Sequence, residues 1–408
     1  MSLLFDCKAG AFVLAQRFQQ LDRLLTRYRR WWQYQPYHHF TMAFADEAPE
    51  LAALLNGLTL GQLAELDADM DALSTLLAPW IAEGAELQQL SQLAPFTPEP
   101  ITCSKEMALH MPGRKQAQIE SFTACLPAHQ GPYLEWCAGK GHLGRLVSLH
   151  RQAPILSLEL QGQLCDEGRQ LAERDGATMT FCCADAFAPE SAELIAPEHH
   201  AMALHACGEL HTHLLAQVAE RSARGVTISP CCYHLIRTPD YRPLSQAAQG
   251  SALRLAKADL KLPLQETVTG GARITRLREQ EVVWRLAFDC LQREVRGIDE
   301  YLPVPNMQKS LLTGSFAAFC DWAAERKGIA LPSGLDYDAF VAKGEARFGA
   351  VARMELVRHL FRRPLEIWLA LDRALFLQEQ GYRVEVGEFC AKPMTPRNIL
   401  IRAVKAES

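Results

Sequence analysis

The strongest chemical signal in the sequence is a glycine-rich loop. Gly139, Gly141 and Gly144 form a GxGxxG pattern between a short apolar run that predicts a strand and a segment that predicts a helix. Glycine permits a tight turn at such a junction and lets backbone N–H groups approach a ligand closely. The pattern alone also fits a dinucleotide enzyme, so the neighbouring residues must distinguish the two kinds of site.

Acidic residues accompany this loop on three successive predicted strands. Glu135 lies inside the first strand, and Glu159 ends the second, twenty positions after Gly139. Asp185, next to Ala186, ends the third strand, where it can accept a hydrogen bond from an adenine amino group, while Glu159 can accept from ribose hydroxyls. Any one of them alone could instead cap a helix. Together they fit the cationic S-adenosyl-L-methionine better than NAD, whose sites usually keep the first strand apolar.

Histidines and cysteines follow the fourth and fifth predicted strands, which should end at the same edge of the sheet. The candidate catalytic residues are His205, Cys207, Cys231, Cys232, Tyr233 and His234. Either histidine can act as a general base near neutral pH, and a thiolate at one of the two adjacent cysteines can instead add to a pyrimidine ring. The alternative interpretation is that these thiols line an apolar wall, because free cysteine is often buried.

Zinc binding by Cys207, Cys231, Cys232 and His234 receives little support from the sequence. None of the thirteen cysteines forms a CxxC pair, so no metal is predicted. No secretory signal is recognised, and we therefore expect the cysteines to be reduced thiols.

The segments around these residues predict an α/β fold with a Rossmann-like sheet. Between residues 131 and 236, short apolar runs alternate with amphipathic stretches, which indicates βαβ units and parallel strands. Residues 382–389 and 398–404 alternate apolar with charged side chains, which predicts an antiparallel C-terminal hairpin at the sheet edge. A helical N-terminal region and a helical insertion are expected beside this sheet.

Three segments are expected along the chain. Residues 1–100 form a helical N-terminal region, and prolines near residue 100 suggest a linker. Residues 101–240 together with 365–408 form the cofactor-binding core. Residues 241–364 form a mainly helical insertion before the last two strands.

The composition restricts the class of protein. Of 408 residues, 49% are apolar and 22% are charged, which is typical of a globular protein and not of a disordered chain. The net charge of −5 excludes attachment to nucleic acid by bulk charge, so any such contact needs a local patch. The apolar runs are too short to cross a bilayer, and a cytoplasmic location is expected.

Two basic segments are candidates for RNA contacts. In Arg27–Tyr37, arginines lead into tryptophans and tyrosines, so guanidinium groups can meet phosphates while rings stack on bases. The cluster Arg358–Arg363 is the second segment. The alternative is that the tryptophans anchor a helical core while the arginines stay in solvent. Residues 46–99, which contain acidic side chains and no Lys or Arg, argue against a region uniformly covered by RNA.

Four motifs make the sequence similar to a known family. Leu134–Gly141, Ala203–Gly208 and Ile228–Tyr233 resemble segments of the class I methyltransferase-like proteins, and Thr395–Asn398 resembles that group's closing Ser-Pro-Arg-Asn element. The group includes the glutathione S-transferase C-terminal-domain-containing protein and the ribosomal RNA adenine dimethylase domain-containing protein. The resemblance covers roughly residues 105–240 and 365–405 and implies a seven-strand sheet that binds S-adenosyl-L-methionine.

The resemblance also implies roles for individual residues in binding the cofactor. Gly139 and Gly141 would face its methionine part, Glu159 its ribose and Asp185 its adenine. Lys115 would pair with its carboxylate.

The sequence departs from the family pattern in two places. Cys137 stands where the methyltransferase loop usually has its first glycine, so the loop must turn without one flexible position. The segment His205–Gly208 stands where many base N-methyltransferases have an Asn-Pro-Pro-aromatic tetrad, which disfavours amino methylation by that route.

We therefore predict an S-adenosyl-L-methionine-dependent methyltransferase that acts on RNA, either tRNA or rRNA. One alternative is a protein or small-molecule methyltransferase, whose acidic segment 46–99 recruits a basic protein. The other is a catalytically silent scaffold that keeps the cofactor fold, for which Cys137 is the supporting feature.

Overall fold

The chain divides into two compact units in the computed structural model. One unit contains Met1–Thr26, Gln89–Val268 and Arg362–Ser408, and the other contains Arg27–Gln88 and Thr269–Phe361. The structure describes residues 2–109, 111–129, 131–265 and 272–406, without the side chains of residues 2–12, 272–275, 309 and 310. The three-segment division predicted at residues 100, 240 and 364 groups the chain differently and stays a prediction.

The first unit contains a seven-stranded sheet. Its strands are β1 (Tyr133–Trp136), β2 (Ile155–Glu159), β3 (Met179–Cys183), β4 (His200–Ala203), β5 (Gly225–Ile228), β6 (Tyr382–Glu388) and β7 (Ile399–Lys405). In the order β3-β2-β1-β4-β5-β7-β6, strands β1 to β5 run parallel, whereas β7 is antiparallel to both neighbours. The predicted Rossmann-like sheet with an antiparallel C-terminal hairpin is confirmed.

Helices make up most of the remaining chain, as predicted for the N-terminal region and the insertion. They are α1 (Ser2–Arg27), α2 (Pro49–Asn56), α3 (Leu60–Ala68), α4 (Met70–Leu77), α5 (Gly84–Leu90), α6 (Lys105–Ala108), α7 (Gly113–Cys125), α8 (His142–Arg151), α9 (Gly162–Asp175), α10 (Glu209–Glu220), α11 (Gln246–Gln249), α12 (Ala272–Arg296), α13 (Phe316–Lys327), α14 (Tyr337–His359) and α15 (Arg362–Glu379). Short 3-10 helices span Arg29–Trp31, Pro36–His38, Pro189–Leu194, Asp259–Gln265 and Lys309–Thr313.

The central strands are covered on both faces, which explains their apolar sequences. Every residue of β1, β4 and β5 is buried. Helices α8 and α9 pack on β2 and β3, α10 packs on β5, and α15 packs on β6 and β7. Because parallel strands end at one edge of the sheet, the loops that follow β1 to β5 are brought together there.

An apolar cluster fixes α7 and α8 against the sheet. Phe122 of α7, Leu146 of α8 and Tyr133 of β1 belong to it, with Ile155 of β2 and Leu400 of β7. All five side chains are at most 4% exposed. Burial of a large apolar side chain contributes about 1.5–3 kcal/mol, so this cluster holds the loop between β1 and α8 on a rigid support.

Helix α15 is buried together with its charged residues. The Asp372 carboxylate accepts hydrogen bonds from the Tyr241 hydroxyl at 2.6 Å and from the Ser245 N–H and hydroxyl at 2.7 Å. Arg373 Nε donates to His211 Nε2 of α10 at 2.7 Å. Removal of one partner leaves the other charge buried and uncompensated at a cost of about 3–5 kcal/mol, so these contacts fix the chain that follows β4 and β5.

The second unit is built from helices around an aromatic core. Trp284 and Phe288 of α12 pack against Phe316 and Phe319 of α13, and Phe340 of α14 joins the same cluster. Ring centroids of neighbouring members lie 5.6 to 6.1 Å apart, within the range of favourable aromatic pairs.

Candidate active site

The loop between β1 and α8 contains three residues in the left-handed backbone region. Cys137, Gly139 and Gly141 have φ angles of 58°, 58° and 65°. Cys137 takes this conformation despite its Cβ atom, at a cost of about 1–2 kcal/mol, so the loop turns without the usual first glycine. A Cβ atom at Gly139 would meet no other group within 4 Å, which leaves open space beside the backbone.

Glu159 anchors this loop to the end of β2. Its carboxylate accepts hydrogen bonds from the Gly139 N–H at 2.9 Å and from the Gln161 N–H at 3.0 Å. Asp185 follows β3, is exposed, and accepts from the Phe187 N–H at 2.9 Å. The thiol of Cys137 lies near both carboxylates. Burial raises the pKa of this thiol to about 12, and the negative charges of Glu159 and Asp185 contribute to the rise. The structure brings the predicted acidic residues together around the loop, and their roles toward a cofactor stay predictions.

Glu135 is the buried member of the acidic set. It accepts a hydrogen bond from the Ser157 hydroxyl at 3.0 Å in the neighbouring strand, and it is 3% exposed. Burial raises the pKa of Glu135 to about 7, against the opposing effects of Ser157, the Gly144 N–H and Lys115. Lys115 lies on α7, where burial lowers its pKa and the charge of Glu135 opposes that shift. The carboxyl group therefore changes charge near neutral pH.

Sequence reasoning missed an aromatic and cationic group beside Asp185. Ala186 is buried, and the ring of Phe187 lies 3.5 Å from the Arg237 guanidinium carbon. His213 of α10 packs on the same ring at a centroid distance of 5.3 Å. The aromatic residue two positions after Asp185 is the signal that could have identified this side of the site, because adenine stacks on aromatic faces.

Three thiols converge where β4 and β5 end. The Sγ atoms of Cys207 and Cys231 lie 3.5 Å apart, and those of Cys207, Cys231 and Cys232 all lie within 4.8 Å of one another. Hydrogen bonds from Cys207 and Cys231 lower the pKa of Cys232, with His234 and Arg397 adding to the shift. Hydrogen bonding within the group and burial raise the pKa of Cys231. Cys232 is therefore the member of this group that ionises most readily.

The two candidate histidines both lie close enough to Cys232 to interact with its charge. The His205 ring is exposed, but desolvation by surrounding protein atoms and the charge of Lys115 lower its pKa. Burial lowers the pKa of His234, and its buried Nδ1 atom has no hydrogen-bond partner in the part of the chain that the structure describes. Both rings are therefore neutral at neutral pH and able to accept a proton.

Tyr233, the remaining predicted catalytic residue, is fully buried. Its ring lies 5.0 Å from the Arg373 guanidinium carbon and edge-on to His211, and its hydroxyl has no hydrogen-bond partner among the described residues. Burial raises the pKa of Tyr233. The contacts of this ring are those of a core residue.

Backbone strain is concentrated at the same edge of the sheet. His205 has a φ angle of 144° and Cys232 one of 47°, both in the region that favours glycine. Such conformations persist where the surrounding structure determines them, and they cluster at functional sites. The Gly208 N–H donates to the Cys231 carbonyl at 3.1 Å and connects the two loops.

The predicted RNA-binding segments are placed differently from expectation. Trp31 and Trp32 are at most 1% exposed, so their rings fill the core of the second unit and cannot stack on bases. Arg358 is 2% exposed and donates to the Trp32 carbonyl and to Glu355. Arg363, in the first unit, is also buried and pairs with glutamates of its own unit. Trp31, Trp32, Arg358 and Arg363 therefore offer no exposed surface to RNA. Arg27, Arg29 and Arg30 stay exposed, as expected if the tryptophans anchor a core while the arginines lie in solvent, and RNA binding stays a prediction.

Residues 114–239 match a protein-family model that is described as a methyltransferase domain. The matched range contains Lys115, the glycine loop, the strand-end carboxylates and both cysteine motifs. This match supports the predicted methyltransferase, and S-adenosyl-L-methionine, the predicted cofactor, is the methyl donor of this domain. The narrower resemblance to the glutathione S-transferase C-terminal-domain-containing protein and the ribosomal RNA adenine dimethylase domain-containing protein is not confirmed.

Solved structures similar to the chain include three methyltransferases. Precorrin-6y C5,15-methyltransferase from Geobacter metallireducens GS-15 is 16% identical, over 32% of this chain and 67% of that chain, with a TM-score of 0.25. Coclaurine N-methyltransferase bound to N-methylheliamine and SAH is 12% identical, over 87% of this chain and 95% of that chain, with a TM-score of 0.26. The 23S rRNA methyltransferase ErmE is 17% identical, over 62% of this chain and 98% of that chain, with a TM-score of 0.24. At these TM-scores the likenesses are too weak to assign an activity.

Within the part of the chain that the structure describes, no helix is both long enough and apolar enough to cross a bilayer.

Proposed function

We propose that this protein is an S-adenosyl-L-methionine-dependent methyltransferase whose acceptor is RNA. The observation that carries the proposal is a division of charge at the strand ends. Carboxylates surround the glycine loop, whereas lysine and arginine side chains lie near the histidines and thiols that follow β4 and β5. A cationic methyl donor suits the first group, and an anionic polymer suits the second.

The residues around the glycine loop fit the cofactor. Open space beside Gly139 admits a ligand to the backbone, and Glu159 and Asp185 offer carboxylates for the ribose and the adenine. Lys115, near Glu135, offers an ammonium group for the cofactor carboxylate. When bound, the cofactor supplies an electrophilic methyl group on its sulfonium.

Cations flank the acceptor side of the site. Lys257 and Lys261 are exposed and lie near His234, and Arg397 lies near Cys232. Lys and Arg side chains neutralise phosphates and position a nucleic acid without reading its sequence. These cations support an RNA acceptor at the strand ends, where the methyl group would be transferred.

His205 and His234 are the residues of this site that can take a proton from the acceptor. Both have lowered pKa values, so each is a neutral base at neutral pH. Removal of the proton by either ring makes the acceptor a better nucleophile toward the methyl group.

Methyl transfer to RNA tests the proposal directly. Purified protein is incubated with S-adenosyl-L-methionine carrying a tritiated methyl group and with total RNA from cells that lack the protein. We expect label in RNA, and mass spectrometry of the digested RNA should identify one methylated nucleoside that is missing from those cells. Label only in a protein fraction would overturn the RNA assignment, and no label in any fraction would overturn the enzyme assignment.

A charge-reversal variant tests the acceptor surface. Lys257→Glu with Lys261→Glu should weaken RNA binding and reduce the slope of log affinity against log salt by roughly 2, with cofactor affinity unchanged. The matched control is Arg221→Glu, an exposed residue that follows α10 at the opposite edge of the sheet. Equal RNA affinity in both variants would contradict the assigned surface.

A further inference from the structure

The three thiols at the ends of β4 and β5 lie in an arrangement that suits a thiophilic cation. We propose that Cys207, Cys231 and Cys232 bind one Zn²⁺ ion as thiolates and leave its fourth position on the acceptor side. Among the residues that the structure describes, they form the one group of three His, Cys, Asp or Glu side chains close enough to share an ion.

The sulfur separations match those of a zinc site. With Zn–S bonds of about 2.3 Å, two sulfurs of a tetrahedral site lie about 3.8 Å apart. The Cys207 and Cys231 sulfurs are 3.5 Å apart, and no pair in the group exceeds 4.8 Å, so small side-chain rotations complete the geometry. The same 3.5 Å is far longer than the roughly 2.05 Å of a disulfide bond.

Backbone conformation explains how two adjacent cysteines can face one ion. In an extended chain, consecutive side chains point to opposite sides. The φ angle of 47° at Cys232 breaks this alternation, so its sulfur lies beside that of Cys231. The hydrogen bond from the Gly208 N–H to the Cys231 carbonyl fixes the loop that carries Cys207 against them. The strained backbone conformation therefore holds the ligands in position before an ion binds.

The surroundings of the thiols suit a site of net negative charge. Three thiolates and one Zn²⁺ leave one negative charge, and the Arg397 guanidinium lies near Cys232, where it offsets that charge. Among the described residues the buried Nδ1 atom of His234 has no hydrogen-bond partner, which makes it available to a group bound at the fourth position. A zinc ion with three protein ligands and an open position acts as a Lewis acid, so the site differs from a closed structural zinc site.

Metal content and cobalt titration test the proposal on the full chain. The protein is purified without chelators under reducing conditions, and its zinc content is measured by elemental mass spectrometry. The metal-free form is then titrated with Co²⁺ alone. We expect about one metal per chain and a sulfur-to-cobalt charge-transfer absorption, because thiolates must be deprotonated to bind.

Three substitutions and a control separate the site from nonspecific thiol binding. Cys207→Ser, Cys231→Ser and Cys232→Ser should each weaken Co²⁺ binding by at least about 100-fold, the upper end of what an outer-shell partner contributes. Cys183→Ser removes an exposed thiol at the last residue of β3 and should change nothing. Circular dichroism shows whether each variant is folded. Cys207 and Cys232 are only partly buried, so their variants are expected to perturb packing less than Cys231→Ser.

Three results would overturn the zinc site. One is wild-type protein that neither retains zinc nor develops the cobalt absorption. A second is cobalt binding that folded Cys232→Ser protein retains at full strength. A disulfide between Cys207 and Cys231, detected by mass spectrometry in protein kept under reducing conditions, would also exclude it. Each result concerns metal binding and leaves the proposed methyl transfer to its own test.

Discussion

Replacement of Glu135 by glutamine is expected to change how the stability of the protein depends on pH. Glu135 is 3% exposed, and burial raises its pKa from the ordinary 4.5 to about 7. Between these values the folded state keeps a proton that the unfolded state has released. The stabilisation is therefore complete below about pH 4.5 and is lost as the pH rises through about 7.

The size of this effect follows from the shift in pKa. At about 1.4 kcal/mol per unit, a rise from 4.5 to about 7 corresponds to roughly 3 kcal/mol of unfolding free energy. The Glu135→Gln variant has no titrating group at this position and should not lose this contribution. Every other titrating group is shared by the two proteins, so the difference between their pH profiles isolates Glu135.

Urea unfolding without cofactor, followed by circular dichroism between about pH 5 and about pH 8, measures both profiles. We expect the wild-type protein to lose roughly 2–3 kcal/mol more than Glu135→Gln over this range. Parallel profiles would refute the buried, neutral carboxyl group. An ionised Glu135 attracts a cationic ligand, so the affinity of the wild-type protein for S-adenosyl-L-methionine should also rise with pH, whereas that of the variant should not.

Three further predictions concern the loop and the thiols. Glu159→Ala should abolish cofactor binding in calorimetry while circular dichroism shows an intact fold, and unchanged affinity would remove the ribose assignment. Gly141→Ala should lower stability by about 1–3 kcal/mol, because its φ is 65° and a Cβ atom would lie 2.5 Å from an aromatic ring of β3. Gly139→Ala, which meets nothing within 4 Å, should lose less stability, and equal losses in urea unfolding would contradict the steric argument. Cys231→Ala and Cys232→Ala test a covalent route through a thiolate, and full methyl-transfer activity in both would discard it.

The sheet and its glycine loop could be predicted because their signals are local. Short apolar runs between amphipathic stretches mark strands that helices cover on both faces, and a GxGxxG pattern marks the turn after the first strand. The spacing of Glu159 from Gly139 placed a carboxylate at the end of β2, where the structure shows its hydrogen bond to the loop.

The buried arginines could not be predicted, because their partners lie far along the chain. Arg363 donates to Glu388 and Asn398, which follow it by 25 and 35 residues, and both partners come close only when α15 packs beside β6 and β7. In the sequence, such arginines resemble a basic patch in solvent. Composition and local spacing carry no information on pairing of this kind.

The order of the strands predicted that these cysteines lie at one edge of the sheet, whereas the close approach of the three sulfurs could not be predicted. Cys207 and Cys231 are 24 residues apart, and their sulfurs meet because β4 and β5 are neighbours in the sheet. The sequence lacks the CxxC spacing of most zinc sites, so local patterns give little support to a metal at these cysteines. The left-handed conformation of Cys232, which turns its sulfur toward Cys231, also depends on the folded surroundings.

Calorimetric titration of the purified chain with S-adenosyl-L-methionine, and separately with NAD, tests the central claim most directly. Carboxylates around an open glycine loop predict that the first ligand binds at one molecule per chain, that NAD produces no binding heat, and that Glu159→Ala abolishes the first signal. Tight binding of NAD, or no heat with S-adenosyl-L-methionine, would contradict the account of this site.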